Sequence, residues 1–306
     1  MGRFMLLRLR HGLIVVLGVT VVVFIVTRMI GDPVRLMLPL EATPEQRAAF
    51  EHQLGFDRSI PVQFVDFVSD LVVLDFGDSL WQRRPAMDIV VEALPMTLYL
   101  VGAGLGLAIV LAIPLGVLAA LRPGSMLDRV TVFLSLLGLS IPQFWLGLLL
   151  AVIFAVNLGW LDHAGAFRAD SIILPAVTLA LPAMTRLVMV VRSQMIDELN
   201  AQYVKTAQAK GMPFLRVIGV HAMRNAAVPV LTLAAWEFIR ALAGYTVIVE
   251  TVFAWPGLGL AAMQAIERQD LILLQAIVFT VAIMVVVINL AVDAAYKAID
   301  PRIKLD

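Results

Sequence analysis

The chain has 306 residues, 61% of them hydrophobic and only 15% charged, with equal numbers of basic and acidic side chains and a formal net charge of zero. A soluble domain carries about 25% charged residues, so this composition, with a mean hydropathy of +0.92, places the chain in a bilayer and supplies no basic field for nucleic acid. Cysteine is absent, which excludes disulfides and thiolate metal sites, and the four histidines form no HExxH pair.

A helix needs about 20 mainly apolar residues to cross the hydrocarbon core. Gly12 to Ile30 meets this, with Arg28 near enough to its end to snorkel. Its flanking Arg3, Arg8 and Arg10 resemble a signal peptide, but the apolar run is long for one and no small-x-small site precedes Asp32 and Pro33, so it reads as an uncleaved first span. The segment from Gly31 to Ala93 follows. Within it PEQRAAFEHQLGF predicts a short helix between Pro44 and Gly55. In PVQFVDFVSDLV, Phe64, Phe67, Val68 and Leu71 recur at helical spacing and predict a second helix lying along the membrane surface.

Leu94–Leu121, Val130–Leu161 and Leu271–Val292 contain no charged residue and read as spans. Ser171–Val191, interrupted by Arg186, and Ala226–Val249, interrupted by Glu237 and Arg240, complete six. Pro142 and Pro182 predict kinks. Basic residues orient the bundle. With the N-terminus in the cytoplasm, the cytoplasmic pieces hold Arg3, Arg8 and Arg10, then Arg122 and Arg129, then Arg192, Lys205, Lys210, Arg216 and Arg224, and finally Lys297, Arg302 and Lys304. The two short outer loops hold only Arg168 and Arg268. Trp160 and Trp255 fall at outer ends, as interfacial rings do. The expected organisation is a cytoplasmic terminus and first span over 1–30, an outer region over 31–93, and a five-helix core over 94–306 with a cytoplasmic loop at 192–225.

That loop is too polar to cross and too patterned for slack linker. Leu199 to Ala209 predicts one helix, Gly211 its left-handed cap and Pro213 the first turn of a second. The result is a hairpin with Lys205, Gln208, Lys210 and Met212 near its tip, anchored through Phe214, Val217 and Ile218.

Ionisable residues inside spans are functional-site hypotheses by default. Glu237 and Arg240 share a helix face, and two readings stand: a mutually neutralised pair, or the lining of a polar cavity in the bundle. Arg186 lies about 9 Å from the cytoplasmic end of its span, which favours snorkelling. Gln143, Gln275 and Asn289 read first as interhelical hydrogen-bonders, and Gln143 joins Glu237 and Arg240 as a candidate cavity residue. No nucleophile–base pair or metal cluster stands at membrane depth, which argues against an intramembrane enzyme, and no inverted repeat with paired broken helices supports a secondary transporter.

Tyr-Val-Lys-Thr-Ala-Gln-Ala-Lys-Gly over 203–211, with His221, Arg224-Asn225 and Pro229, resembles the EAA-type loop of ABC importer permeases, in the form of the dipeptide/oligopeptide group, B-type subunit. The resemblance runs through Gly31-Asp32-Pro33, Phe76-Gly77-Asp78-Ser79 with Arg84-Pro85, Leu94-Pro95 with Thr97-Leu98, and Ser140-Ile141-Pro142-Gln143-Phe144-Trp145. It continues through Glu250-Thr251-Val252-Phe253-Ala254-Trp255-Pro256-Gly257-Leu258-Gly259 to Asp300-Pro301-Arg302. Lys205-Thr206-Ala207 stands where the broader motif has Glu-Ala-Ala, and the peptide group commonly has a basic residue there. The resemblance implies an all-α, six-span, type I importer permease of the bacterial inner membrane, both termini cytoplasmic, embedded in lipid and paired with a second homologous permease. It implies two ATPase subunits docked through Lys205, Thr206, Ala207, Gln208, Lys210, Gly211 and Met212, and an extracytoplasmic peptide-binding protein. It also implies that ATP and Mg bind on those partner ATPases, and the chain itself has no G-x-x-x-x-G-K-[ST] phosphate loop. Peptides are the expected cargo, with nickel complexes or glutathione as alternatives.

Overall fold

The computed structural model describes residues 2–29, 43–53, 57–162, 164–166 and 168–299. Gly31-Asp32-Pro33, Gly55 and Asp300-Pro301-Arg302 lie outside them. Among the described residues the regular elements are helices, joined by one isolated bridge between Asp78 and Pro85. They are α1 (Gly2–Met29), α2 (Pro44–Gln53), α3 (Ile60–Val72), α4 (Ala86–Leu121), α5 (Met126–Ser140), α6 (Gln143–Asn157), α7 (Ile173–Asn200), α8 (Gln202–Ala209), α9 (Phe214–Val252), α10 (Leu258–Glu267) and α11 (Leu271–Ile299). Four are long and apolar enough to cross a membrane: α4, α7, α9 and, over Leu271–Ala295, α11. The pair α5 and α6 counts as a fifth span if taken as one.

That pair shows how large the kink expected at Pro142 is. The run read as one span over 130–161 bends by 99° where α5 gives way to α6. Ile141, forced out of the helical region by the proline that follows it, is extended at φ −82°, ψ 122°, and Pro142 at φ −62°, ψ 134° starts the new helix. Pro182 lies inside α7. Having no N–H, it leaves the Thr178 carbonyl four residues earlier unpaired within the helix, and Gln143 Nε2 donates to that carbonyl at 3.4 Å.

The chain divides into two compact units. One takes in the described residues of Met1–Pro95 and Leu260–Val287, the other those of Met96–Gly259 and Ile288–Lys304. In the first, Thr43 and Gln46 form a reciprocal cap at the start of α2: Thr43 N–H donates to Gln46 Oε1 at 2.9 Å, and Gln46 N–H to Thr43 Oγ1 at 3.3 Å. The α3 stripe faces protein rather than lipid surface, because Phe24 of α1 packs edge-on to Phe64 at 5.1 Å and against Phe67 at 5.6 Å. The Phe76–Ser79 stretch folds into a tight loop around a buried carboxylate. Asp270 accepts from Ser79 Oγ, from Trp81 N–H at 3.2 Å and, as N-cap of α11, from Leu273 N–H at 3.0 Å. A buried carboxylate needs donors of this kind, which gives Ser79 a structural reason.

The second unit is built on a seam of small residues. Gly104, Ala108, Ala112, Gly116 and Ala120 recur every four positions on α4, and the three alanines are buried in one cluster with Ala180, Ala183, Leu187, Val188 and Val191 of α7. Small side chains at this spacing let two backbones approach where lipid gives no hydrophobic drive. A Cβ on Gly116 would lie 2.7 Å from the Val191 side chain and 2.9 Å from the Val188 carbonyl oxygen.

The longest motif forms a latch in the same unit. Glu250, fully buried, accepts from Thr97 Oγ1 at 2.7 Å and from Gly259 N–H at 2.6 Å, while Thr97 Oγ1 accepts from Leu258 N–H at 2.7 Å. A carboxylate thus sits on the first N–H groups of α10, where the helix dipole favours negative charge. Trp255 is buried and donates through Nε1 to the Met96 carbonyl at 3.0 Å, so it serves packing rather than the outer interface.

Gly116→Ala is expected to destabilise the fold by about 1–3 kcal/mol, the range for overpacking. Gly106→Ala, with nothing within 4 Å of its Cβ, should be neutral or stabilising by up to about 1 kcal/mol from helix propensity. Thermal unfolding of the purified chain in detergent checks this, and equal midpoints for the two variants would refute the close-packed seam.

Candidate coupling hinge and intramembrane ion cluster

The hinge begins where α7 stops at Asn200. Ala201 is extended, at φ −65° and ψ 149°, and turns the chain into α8. So the segment expected as one helix from Leu199 to Ala209 is two, split at Ala201. At the far end of α8 Gly211 adopts φ +75°. Its N–H donates to the Gln208 carbonyl at 2.9 Å, and Met212 N–H reaches back to the Ala207 carbonyl at 3.2 Å. These two bonds define a Schellman cap, which needs a left-handed residue at the position of Gly211. The accompanying apolar contact is present, since Met212 packs on the cluster of Val204, Ala207 and Val217.

The returning arm differs from expectation. Pro213 stands at the N-cap, not in the first turn, at φ −58° and ψ 136°. No separate second helix follows. From Phe214 the chain runs without a break to Val252, 39 residues in all, with the wider π pitch at Val217–Ala222 and Ala241–Tyr245. Val217 and Ile218 are buried, but Phe214 is 54% exposed and anchors nothing, beside Leu215 at 82%. Its backbone leads straight out of the cap, and the inward positions fall one turn later.

Lys205, Thr206, Gln208, Lys210 and Gly211 lie on the exposed side of the hinge, Ala207 is buried beneath, and Met212 is half-buried. The hairpin is tied down by polar contacts that the sequence reading did not identify. Tyr203 Oη donates to Glu198 of α7, and Asn225 Nδ2 of α9 donates to the same carboxylate at 3.3 Å. Burial, together with the hydrogen bond to Glu198, pushes the Tyr203 hydroxyl above its ordinary range, so it stays protonated and donating at neutral pH. Arg192 of α7 clasps Asp128 in the first turn of α5 through Nε and through Nη2 at 2.8 Å, and Asp128 also accepts from Gly124 N–H at 2.8 Å.

The ion cluster lies deeper. Glu237, 2% exposed, accepts Arg186 Nε and Nη2 at 2.7 Å each. This corrects the expectation for Arg186 and adds a third member to the expected pair of Glu237 and Arg240. Arg186 does not snorkel, because a buried carboxylate within reach offers its whole fork a partner. Glu237 is neutralised chiefly by Arg186, while Arg240 reaches it only at 3.5 Å with a side chain 48% exposed. Arg186 also lies 6.0 Å over the Tyr245 ring. Counted at about 1.5 Å per residue, Arg186 is about 20 Å from Ile173 and Arg240 about 18 Å from Val252, close to the middle of a core about 30 Å thick. Val101, Leu105, Leu179, Ala183, Ala241 and Tyr245 enclose a small pocket beside Glu237. Gln143 is spent on Thr178, and its buried Oε1 has no hydrogen-bond partner among the described residues. Among these residues no group of three acidic or histidine side chains could hold a metal.

Known proteins fit this geometry. The model of the binding-protein-dependent transport system inner membrane component matches residues 112–305, and that of the N-terminal part of such membrane components matches residues 1–101. The chain is 35% identical over 316 residues to an oligopeptide transport system permease protein of Bacillus subtilis, covering 99% of this chain and all of the relative. It is 35% identical over 305 residues to a glutathione transport system permease protein of Salmonella typhimurium, covering 99% of each. A di/tripeptide transport system permease protein of Pseudomonas aeruginosa is 35% identical over 317 residues, with 94% of each chain covered. Among solved structures, the inward-facing MetNI methionine ABC transporter superposes with a TM-score of 0.60 at 20% identity, over 70% of this chain and 97% of that one. The chain belongs to the family of inner membrane components of binding-protein-dependent transport systems.

Proposed function

We propose that this chain is the permease subunit of an ATP-driven importer of di- or oligopeptides, with six spans and both termini in the cytoplasm. It pairs with a second homologous permease and two ATPase subunits that bind ATP and Mg, and it receives cargo from an extracytoplasmic binding protein. The observation that carries the reading is the full-length 35% identity to peptide permeases. The first span over 1–30, the outer region over 31–93 and the core over 94–306 complete the proposed organisation, with the loop at 192–225 as the joint to the ATPases. The capped turn at Gly211 supports that role, because a docked element must keep its shape to pass on a rigid-body motion. Glu237, Arg240 and Gln143 are assigned to the translocation path. The glutathione permease at equal identity favours glutathione as a second cargo, and competition of labelled dipeptide uptake by glutathione separates the two.

Co-expression with its neighbours should yield a complex containing an ATPase, and uptake should require ATP. Gly211→Val is expected to insert normally and to lose ATPase association and uptake, since a β-branched residue resists positive φ, at a cost of about 1–2 kcal/mol for left-handed backbone. Lys205→Ala should matter less, an exposed ion pair being worth about 0–1 kcal/mol. Full ATP-coupled uptake by Gly211→Val would remove the hinge from the mechanism.

Deleting Glu45 to Leu54 should impair delivery by the binding protein while membrane insertion persists. Unchanged binding-protein-driven uptake would reduce that segment to a connector.

The charge pair gives a third outcome. Arg186→Glu and Glu237→Arg should each lower the amount of folded chain, and the double reversal should restore part of it. A double-mutant cycle without coupling between 186 and 237 would sink the pairing.

A further inference from the structure

The charges around Glu237 do not balance. Both of its oxygens are taken by Arg186 at 2.7 Å, which completes one ion pair. Arg240 adds a second guanidinium, 3.5 Å from an oxygen already engaged, and nearly half of its side chain is open. The other acidic residues on α7 and α9 are Asp197, Glu198 and Glu250. Asp197 and Glu198 lie eleven and twelve residues from Arg186, and Glu250 is ten residues from Arg240, so each is about 15 Å or more away along its helix. Glu250 is committed to Thr97 and Gly259, and Asp128 of α5 to Arg192. The cluster therefore carries one positive charge that no other acidic residue of α7 or α9 lies near enough to cancel, at a depth where such a charge is costly.

The backbone marks the same point. Arg240 is the last residue before the π turns at Ala241–Tyr245, and π turns within α-helices are frequent at functional sites. The widened turn is stabilised from within, by Thr246 Oγ1 donating to the Ala241 carbonyl at 3.0 Å, so the interruption is a built feature.

We propose that Arg240 is the specificity-determining residue of the path and binds the free carboxylate of the cargo at mid-membrane, while Arg186 and Glu237 hold α7 to α9 and take no part in recognition. The inference rests on the peptide reading above. A peptide with a free C-terminus brings the group the cluster lacks, an anion with two oxygens matched to the guanidinium fork. It arrives and leaves, as an ionised residue of the fold could not.

The test uses cells whose peptide uptake depends on the intact complex, with labelled dialanine and its C-terminal amide as probes. Affinities of the binding protein for the two are measured separately and divided out. Wild type should favour the free acid. Arg240→Gln should lower uptake of the acid relative to the amide about tenfold to a hundredfold, the range for one charged hydrogen bond. Arg240→Lys should recover part of the preference. An unchanged acid-to-amide ratio in Arg240→Gln overturns the inference alone. Loss of the chain from the membrane, or of its partner permease on purification, also overturns it, because Arg240 would then be paired with a neighbouring subunit. Wild-type cells that carry neither probe overturn the peptide reading, and this inference with it.

Discussion

One continuous helix governs this molecule. From Phe214 to Val252 the backbone runs unbroken for 39 residues, so the hinge at one end, the ion cluster in the middle and the Glu250 latch at the far end lie on a single strut. Its continuity follows from elementary constraints. In lipid each backbone N–H and C=O must be satisfied internally, and a loop between the cytoplasmic arm and the span would leave several orphaned. The chain reverses instead at Gly211 and Pro213, where the exposed surface allows a cap.

Packing around that strut follows from what a bilayer withholds. Without a hydrophobic drive between helices, stability comes from close approach and from polar contacts. The four-residue repeat of Gly104, Ala108, Ala112, Gly116 and Ala120 supplies the first. The second comes from buried carboxylates tied to residues far away in sequence: Glu237 to Arg186, Glu250 to Thr97 and, in the other unit, Asp270 to Ser79. Breaking one partner of a buried pair costs about 3–5 kcal/mol because a charge is left behind. Two motif residues, Glu250 and Ser79, are thus occupied in fastening the chain to itself.

Much of this was legible in the sequence. Apolar runs located the long helices, Pro44 the start of α2, and Gly211 the left-handed cap, because each of these signals is local. Thr43-x-x-Gln46 and the four-residue repeat in α4 were equally local and were passed over, the first hidden by the proline beside it and the second by uniform hydrophobicity. What could not be read was pairing across distance. The helix spacing of Glu237 and Arg240 suggested a pair, but Arg186, 51 residues earlier, reaches the same carboxylate with better geometry. Similarly, Pro142 announced a kink, yet the 99° break depends on how α6 packs, with Gln143 filling the place that Pro182 leaves on α7.

The two π segments give the strut its final property. Val217–Ala222 follows the hinge directly, and Ala241–Tyr245 follows Arg240. Between them Met223–Arg240 keeps regular α pitch, with Pro229 inside it. Helices kink at π turns rather than within regular α pitch, so this one bends there first. The stretch that carries Glu237 and Arg240 is therefore bounded on both sides by its most compliant points, while Glu237 pins its C-terminal end to α7 through Arg186.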